Sequence, residues 1–403
     1  MTAREIKWTI FTVTVIGNFI AMLDSTTVNL ALYPISRGLN VDITQVQWIV
    51  IAYMLVVTVL LPVFGKLGDV LPKNKLYMWG YLTFAAGAFL NTLAPNLACL
   101  IVFRCIEAVG ASIMISNSAA IIAAIFKDKK RGKALGINGA AIALGGMLGP
   151  SLGGVMINFF GWHAVFFPCI PIAIAGAFYA YKLLPSYVSR LKETHVSFDV
   201  FKIPAFVLGN LAIIMSYMAM YANGVLIPFY LQEIMGFNAL LTGLLILPFS
   251  ITLTFTAPLS GNFAGKHGSR LITMIGPLVM IIALSMIMTF GEGTPLYMIL
   301  IASSVMGIGH GLFQSPSNTA IIASVTKKQL GIASGVLALS RNMGNILGVA
   351  ATINIFHILR SRFLVNGLPY NTSFLNAYHL TAAVGIGFAV ICFLLSNFAY
   401  RED

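Results

Sequence analysis

The sequence predicts an all-α integral membrane protein with twelve transmembrane helices in two six-helix bundles. Hydrophobic residues make up 58% of the 403 and charged residues only 9%, against about 25% charged in soluble domains. Apolar runs of about 20 residues, long enough to cross a bilayer core as a helix, recur twelve times. The longest polar stretch, Pro185 to Lys202, falls in the middle of the chain.

In order, the spans are expected near 9–34, 46–66, 76–95, 98–126, 134–160 and 163–184, then 203–231, 240–264, 271–291, 295–323, 331–358 and 375–399. This gives a first bundle over 1–184, a linker over 185–202 and a second bundle over 203–403. The connections are mostly short and rich in Gly, Pro, Asn and Lys. Arg4 and Lys7 lead directly into a full-length span, so a cleaved signal is not expected.

Basic residues sort by side. Arg4 and Lys7, then Lys66, Lys73 and Lys75, the 127–133 cluster, Lys182 to Lys202, Lys266 and Arg270, Lys327 and Lys328, and Arg401 share one side. They number 19 of the 24 Lys and Arg, against Arg37, Arg360 and Arg362 on the other. Arg104 and Arg341 fall within spans. The positive-inside bias then places both termini and the linker in the cytoplasm of a cell whose inner membrane the chain spans. The net charge of +12 is therefore topological, and nucleic-acid binding is not expected.

Span 5 carries the densest glycine pattern, Gly145-x3-Gly149-Pro150-x2-Gly153-Gly154. It strips one helix face of side chains, so another backbone can approach closely, and the proline bends the helix. Such a face suits a machine that moves between two states. The loops after spans 2 and 8, Gly65 to Lys73 and Gly261 to Arg270, match in position and in their basic residues. They suggest an internal repeat, with a substrate site between two related halves near the midplane.

Several reactions are not expected. Cys99, Cys105, Cys169 and Cys392 form no C-x-x-C pair and lie in or beside apolar segments, so neither disulfides nor a metal site are implied. G-x4-G-K-[ST] and H-E-x-x-H do not occur, which argues against an ATP-driven pump or an intramembrane zinc protease. No cofactor and no enzymatic activity are expected.

Six stretches resemble the major facilitator superfamily, and within it the drug:proton antiporters of the EmrB/QacA type. Leu23-Asp24-Ser25-Thr26-Thr27-Val28-Asn29-Leu30-Ala31-Leu32-Tyr33-Pro34 is similar to their span-1 signature, and Gln47 to Tyr53 to their span-2 opening. Gly65-Lys66-Leu67-Gly68-Asp69-Val70-Leu71-Pro72-Lys73 resembles the superfamily's gating loop. Arg104-x2-Glu107-x2-Gly110 resembles its proton-coupling motif, and Gly145 to Gly154 its antiporter motif. Gly331 to Gly348 follows a span-11 pattern of these antiporters. Val70 and Pro72 replace the usual arginine and glycine of the gating loop, and Gly265 replaces the acid of its second copy. The extra helix pair of the fourteen-span type is missing.

The resemblance implies a central cavity lined by spans 1, 4, 7 and 10, a monomer, and small-molecule export driven by the proton gradient. Asp24 lies mid-span, where a carboxylate costs a few kcal/mol and is functional by default; its alternative is permanent hydrogen bonding to Thr26, Thr27 or Asn29. Arg104 and Glu107, at i and i+3, share a helix face and either modulate protonation or form a plain ion pair. Gly65, Gly68, Asp69 and Lys73 form the expected gating loop, in which Asp69 is either a latch or a solvated charge. Asn29, Gln314, Asn318, Arg341 and Asn345 are expected at the substrate cavity, with Arg341 balancing Asp24 or facing substrate; the alternatives are a snorkelling Arg341 and polar side chains that only bond helix to helix. His310 reads as a hydrogen-bonded packing residue. The expected function is proton-coupled efflux of small amphipathic or cationic compounds. The alternatives are a uniporter or proton symporter for one metabolite, and a non-transporting sensor on the same fold.

Overall fold

The computed structural model describes residues 3–126, 128–184, 198–326 and 329–399. The chain divides into two compact units, Met1–Thr194 and His195–Asp403. Most of the expected linker lies outside the described residues; its last five, Phe198–Lys202, form a 3-10 turn in which Lys202 pairs with Asp199 at 2.9 Å.

The first unit contains α1 (Ala3–Leu39), the single turn α2 (Ile43–Val46), α3 (Trp48–Val70), α4 (Lys73–Thr92), α5 (Leu97–Ile125), α6 (Asp128–Phe160) and α7 (Cys169–Leu183). The second contains α8 (Pro204–Glu233), α9 (Ala239–His267), α10 (Arg270–Ile287), α11 (Leu296–Ala323), α12 (Leu330–Val365) and α13 (Tyr370–Ala399). Among the described residues, eleven spans are long and apolar enough to cross a membrane. The remaining long helix, α4, is less apolar because Lys73, Asn74 and Lys75 open it and Asn91 nearly closes it. It is sheltered instead: Tyr77 and Tyr81 are fully buried and donate to the Thr14 and Val13 carbonyls of α1 at 3.1 and 2.5 Å.

Helix ends follow local chemistry. Asn96 and Asn238 cap α5 and α9, each accepting a backbone N–H at 2.9 Å, and Asp42 and Gln45 form a capping box. Gly236 and Gly367, at φ 68° and 80°, end α8 and α12 in the left-handed region that favours glycine. Several helices outrun their expected spans, two of them at the end opposite the linker. α1 continues through Pro34 to Leu39, and α12 runs past 358 to Val365, so Arg360 and Arg362 belong to a helix rather than a loop.

The same pairings recur in both units: α1 with α6 and α8 with α12, α3 with α5 and α9 with α11, α4 with α5 and α10 with α11, α4 with α7 and α10 with α13. Glycines set these contacts in matching places. A Cβ on Gly110 would stand 2.5 Å from the Gly80 carbonyl, and Gly276 and Gly309 face each other alike at 2.8 and 2.9 Å. Backbones this close replace side-chain interdigitation with direct packing, the usual route to helix association in lipid. The two units thus repeat one six-helix arrangement.

Gly110→Val should therefore cost roughly 1–3 kcal/mol by overpacking. Gly335→Ala, in open space, should be neutral or stabilising. Thermal unfolding of both variants in detergent checks this; equal melting temperatures would contradict the close-contact reading.

Candidate functional site

Among the described residues of the first unit, the most buried charged side chains meet at one point. Arg104 of α5 donates through Nη1 to Asp24 Oδ2 of α1 at 2.6 Å and to Glu107 Oε2 at 2.7 Å. All three are at most 1% exposed. Local packing explains the meeting. A Cβ on Gly87 of α4 would stand 2.5 Å from the Glu107 backbone nitrogen, so α4 presses onto α5 there. One turn later, on the same face, Asn91 Nδ2 donates to Glu107 Oε2 at 2.6 Å. The Arg104 guanidinium lies 4.2 Å from the Tyr53 ring centroid and 5.6 Å from that of Phe166, within cation–π range.

Two carboxylates share one guanidinium, so with both acids ionised the cluster carries a net charge of −1. Asp24 Oδ1, Glu107 Oε1, Arg104 Nε and the Tyr53 hydroxyl are buried with no hydrogen-bond partner. Thr26 and Thr27 do not hold Asp24. Their hydroxyls donate to backbone carbonyls, Thr26 to Met22 and Thr27 to Leu23 and Gly149, at 2.7–3.1 Å.

The span-5 glycines face α1, the helix that carries Asp24. A Cβ on Gly145 would stand 2.6 Å from the Phe19 carbonyl, one on Gly149 would overlap Thr26 Oγ1, and one on Gly153 would meet Thr27 Cγ2 at 2.8 Å. Gly154 is buried beside them, and α6 stays helical through Pro150. Gly344 and Gly348 do the same for α12 against α8, at Tyr217 and Tyr221.

The expected gating residues also find contacts. Lys73, 2% exposed, donates from Nζ to the Gly68 carbonyl at 2.8 Å, placing a cation at the C-terminal end of α3. A Cβ on Gly68 would overlap Asn117 Oδ1, and Asn117 Nδ2 donates to the Phe64 carbonyl at 3.1 Å. Gly65 faces open space. The Asp69 side chain lies outside the described residues.

Of the expected cavity residues, Asn29 is half-buried on α1, with Oδ1 lacking a partner. The other four belong to the second unit. Gln314 Nε2 donates to the Tyr217 hydroxyl at 2.5 Å, and Arg341 lies near enough to interact with the same hydroxyl. Asn318 and Asn345 leave Oδ1 buried and unpartnered. His310 packs edge-on to Tyr217 with centroids 4.9 Å apart and meets Ser216 Oγ at 3.1 Å.

Tyr53, Asn91, Asn117 and Tyr217 were not among the expected site residues. Nor was an ion pair at the other end of α8, where Glu233 Oε1 accepts from Arg360 Nη2 at 2.7 Å and from the Tyr370 hydroxyl.

Two copies of one six-helix unit, each spanning a membrane and one holding a buried charge cluster, define a polytopic carrier. The sequence profile of the Major Facilitator Superfamily matches residues 14–349 and 209–397, and the chain belongs to that transporter family. It is 31% identical to the riboflavin transporter RibZ of Clostridioides difficile, over 91% of this chain and 90% of that one. It is 25% identical to the methylenomycin A resistance protein of Streptomyces coelicolor, over 91% and 90%. The multidrug resistance protein Stp of Mycobacterium tuberculosis is also 25% identical, over 83% and 73%. Among solved structures, the inward-facing, occupied form of a bacterial homologue of the human lysosomal transporter Spinster aligns with TM-score 0.84 over 98% and 97%, at 16% identity.

Arg104→Leu should cost about 3–5 kcal/mol, because it strands two buried carboxylates. Adding Asp24→Asn and Glu107→Gln to that variant should recover much of the loss. Scanning fluorimetry of the purified single and triple variants checks this; equal melting temperatures would mean the cluster contributes no coupled energy.

Proposed function

We propose that the chain is a proton-coupled antiporter that exports small amphipathic compounds, with Asp24, Arg104 and Glu107 as its proton site. The observation that carries this reading is the shared guanidinium. One proton would neutralise the cluster, and its loss would leave one uncompensated charge in a medium where charge is costly. That difference is what lets protonation bias one conformation over another. The resistance proteins among the relatives support export. The excess carboxylate of the same cluster keeps cationic compounds among the candidate substrates. The residue pattern supports an inner-membrane location with both termini cytoplasmic, and a monomer suffices for the reading.

A second reading has one observation in its favour. The relative at 31% identity is a riboflavin transporter, whereas the resistance proteins cited stand at 25%. This supports a carrier for one flavin-like metabolite on the same proton site. Proteoliposome assays with an imposed pH gradient separate the two: saturable riboflavin flux supports the metabolite carrier, and flux of several unrelated dyes supports efflux.

Asp24→Asn should abolish gradient-driven flux by at least tenfold while leaving the melting temperature within a few degrees. The amide keeps size and hydrogen bonding but holds no titratable proton. Full flux in this variant would shift the proton to Glu107.

Gly149→Leu should lower flux per folded molecule more than it lowers stability, because the α1–α6 contact is expected to differ between the two states. A large fall in melting temperature with unchanged per-molecule flux would mean that the glycines serve static packing only.

A further inference from the structure

We propose that the Tyr217–Gln314–Arg341 cluster of the second unit is a subsite for a conjugated, acceptor-rich group, such as a cyclic imide or dione, and selects against cations. This deepens the transport reading above and rests on it.

Depth comes first. Arg341 is eleven residues into α12, Tyr217 thirteen into α8, and Gln314 nine from the end of α11. At 1.5 Å per residue these positions lie roughly 14–20 Å from the same face of the unit, deep in a hydrocarbon core about 30 Å thick. An arginine at that depth normally pairs with a carboxylate or with backbone carbonyls, yet Arg341 Nε is buried with no partner. The acids of the second unit are Asp199, Glu233, Glu292, Glu402 and Asp403. Asp199 holds Lys202, Glu233 ends α8 and holds Arg360, and Glu292 lies in the loop before α11. Among the described residues, the unit therefore offers Arg341 no carboxylate at its own depth.

Donor and acceptor accounting comes next. Arginine has only donors, and Gln314 also presents its Nε2 donor to the Tyr217 hydroxyl. A hydroxyl that meets two donors keeps its own proton to give elsewhere. Gln314 and Asn318 are four residues apart on α11, and Arg341 and Asn345 four apart on α12, so each pair shares a helix face. Both asparagines retain a buried, unpartnered carbonyl oxygen. The set thus combines surplus donors with two nearby acceptors, the complement of a carbonyl–N–H–carbonyl edge. A cation would meet the Arg341 charge with nothing to offset it.

The cluster is also held in place. Gly344 lets α12 approach until a Cβ there would stand 2.7 Å from Tyr217 Cβ, which brings Arg341 to the tyrosine. His310, fixed by Ser216, packs against the other side of the Tyr217 ring.

The test is equilibrium binding to the purified full-length chain in nanodiscs at one pH and with no gradient. Riboflavin serves as the imide-bearing probe, its N3-methyl derivative as a probe lacking the N–H, and tetraphenylphosphonium as the cation. Wild type should bind riboflavin tighter than either other probe. Arg341→Gln should weaken riboflavin about ten- to hundredfold, as the loss of a charge-assisted hydrogen bond does. Tyr217→Phe should weaken it less. Arg362→Gln, exposed in the last turn of the same helix, should change nothing. No riboflavin binding, unchanged affinity in both Arg341→Gln and Tyr217→Phe, or tighter binding of tetraphenylphosphonium would each overturn the proposal. Should Arg341→Gln not fold, Tyr217→Phe alone decides it. Because no proton gradient is present, a negative result leaves the proton-site reading standing, and loss of coupling in Asp24→Asn leaves this subsite standing.

Discussion

A bilayer core holds no water to complete a hydrogen bond, and this constraint orders the rest of the structure. Backbone groups are satisfied within helices. Hydroxyls turn back onto their own helix, as Thr14, Ser112, Thr381 and Ser396 do onto carbonyls four residues earlier at 2.6–2.9 Å. Buried charges are gathered rather than scattered. Arg104 collects Asp24 and Glu107, Lys73 finds the end of α3, and Arg360 finds Glu233. Where the accounting is incomplete, at Arg341 and the orphaned oxygens around it, a ligand has something to supply.

Close backbone contact is the second organising theme, and it follows from the first. Lipid offers helices no hydrophobic reason to associate, so dispersion contact and short polar bridges must do so. Glycine removes the obstacle, and a hydroxyl or amide then spans the gap. Thr27 reaches the Gly149 carbonyl at 3.1 Å, Ser260 reaches that of Gly311 at 2.8 Å, and Asn91 reaches Glu107 from the turn after Gly87. The charge cluster of the first unit and the Tyr217 cluster of the second are both placed by glycines that bring one helix against the next.

The architecture was largely legible in the sequence, because crossing a bilayer imposes a length and an apolar composition that few other structures share. α4 was the weakest signal, since burial among its neighbours lets it carry lysine and asparagine. Asp24, Arg104 and Glu107 were legible for the same reason: an ionisable residue inside an apolar run is conspicuous. The Arg104–Glu107 pair could be read from its i, i+3 spacing, but the Asp24–Arg104 bond could not, because those residues are 80 apart and ion pairing has no sequence periodicity. Tyr53 and Tyr217 carried no signal, as a tyrosine in a membrane helix is equally at home against lipid, packed or at a site. The end of α12 beyond 358 was not legible, because composition near a helix end does not separate a last turn from a loop.

The charge sum at Arg104 has an electrical consequence. With both acids ionised the cluster carries −1; with one proton it is neutral. A conformational change that shifts the cluster relative to the membrane field moves charge in the first form and none in the second. One elementary charge crossing 100 mV is worth about 2.3 kcal/mol, close to fiftyfold in an equilibrium. Membrane voltage alone would then discriminate between the loaded and empty forms of the proposed proton site, even with equal pH on the two sides.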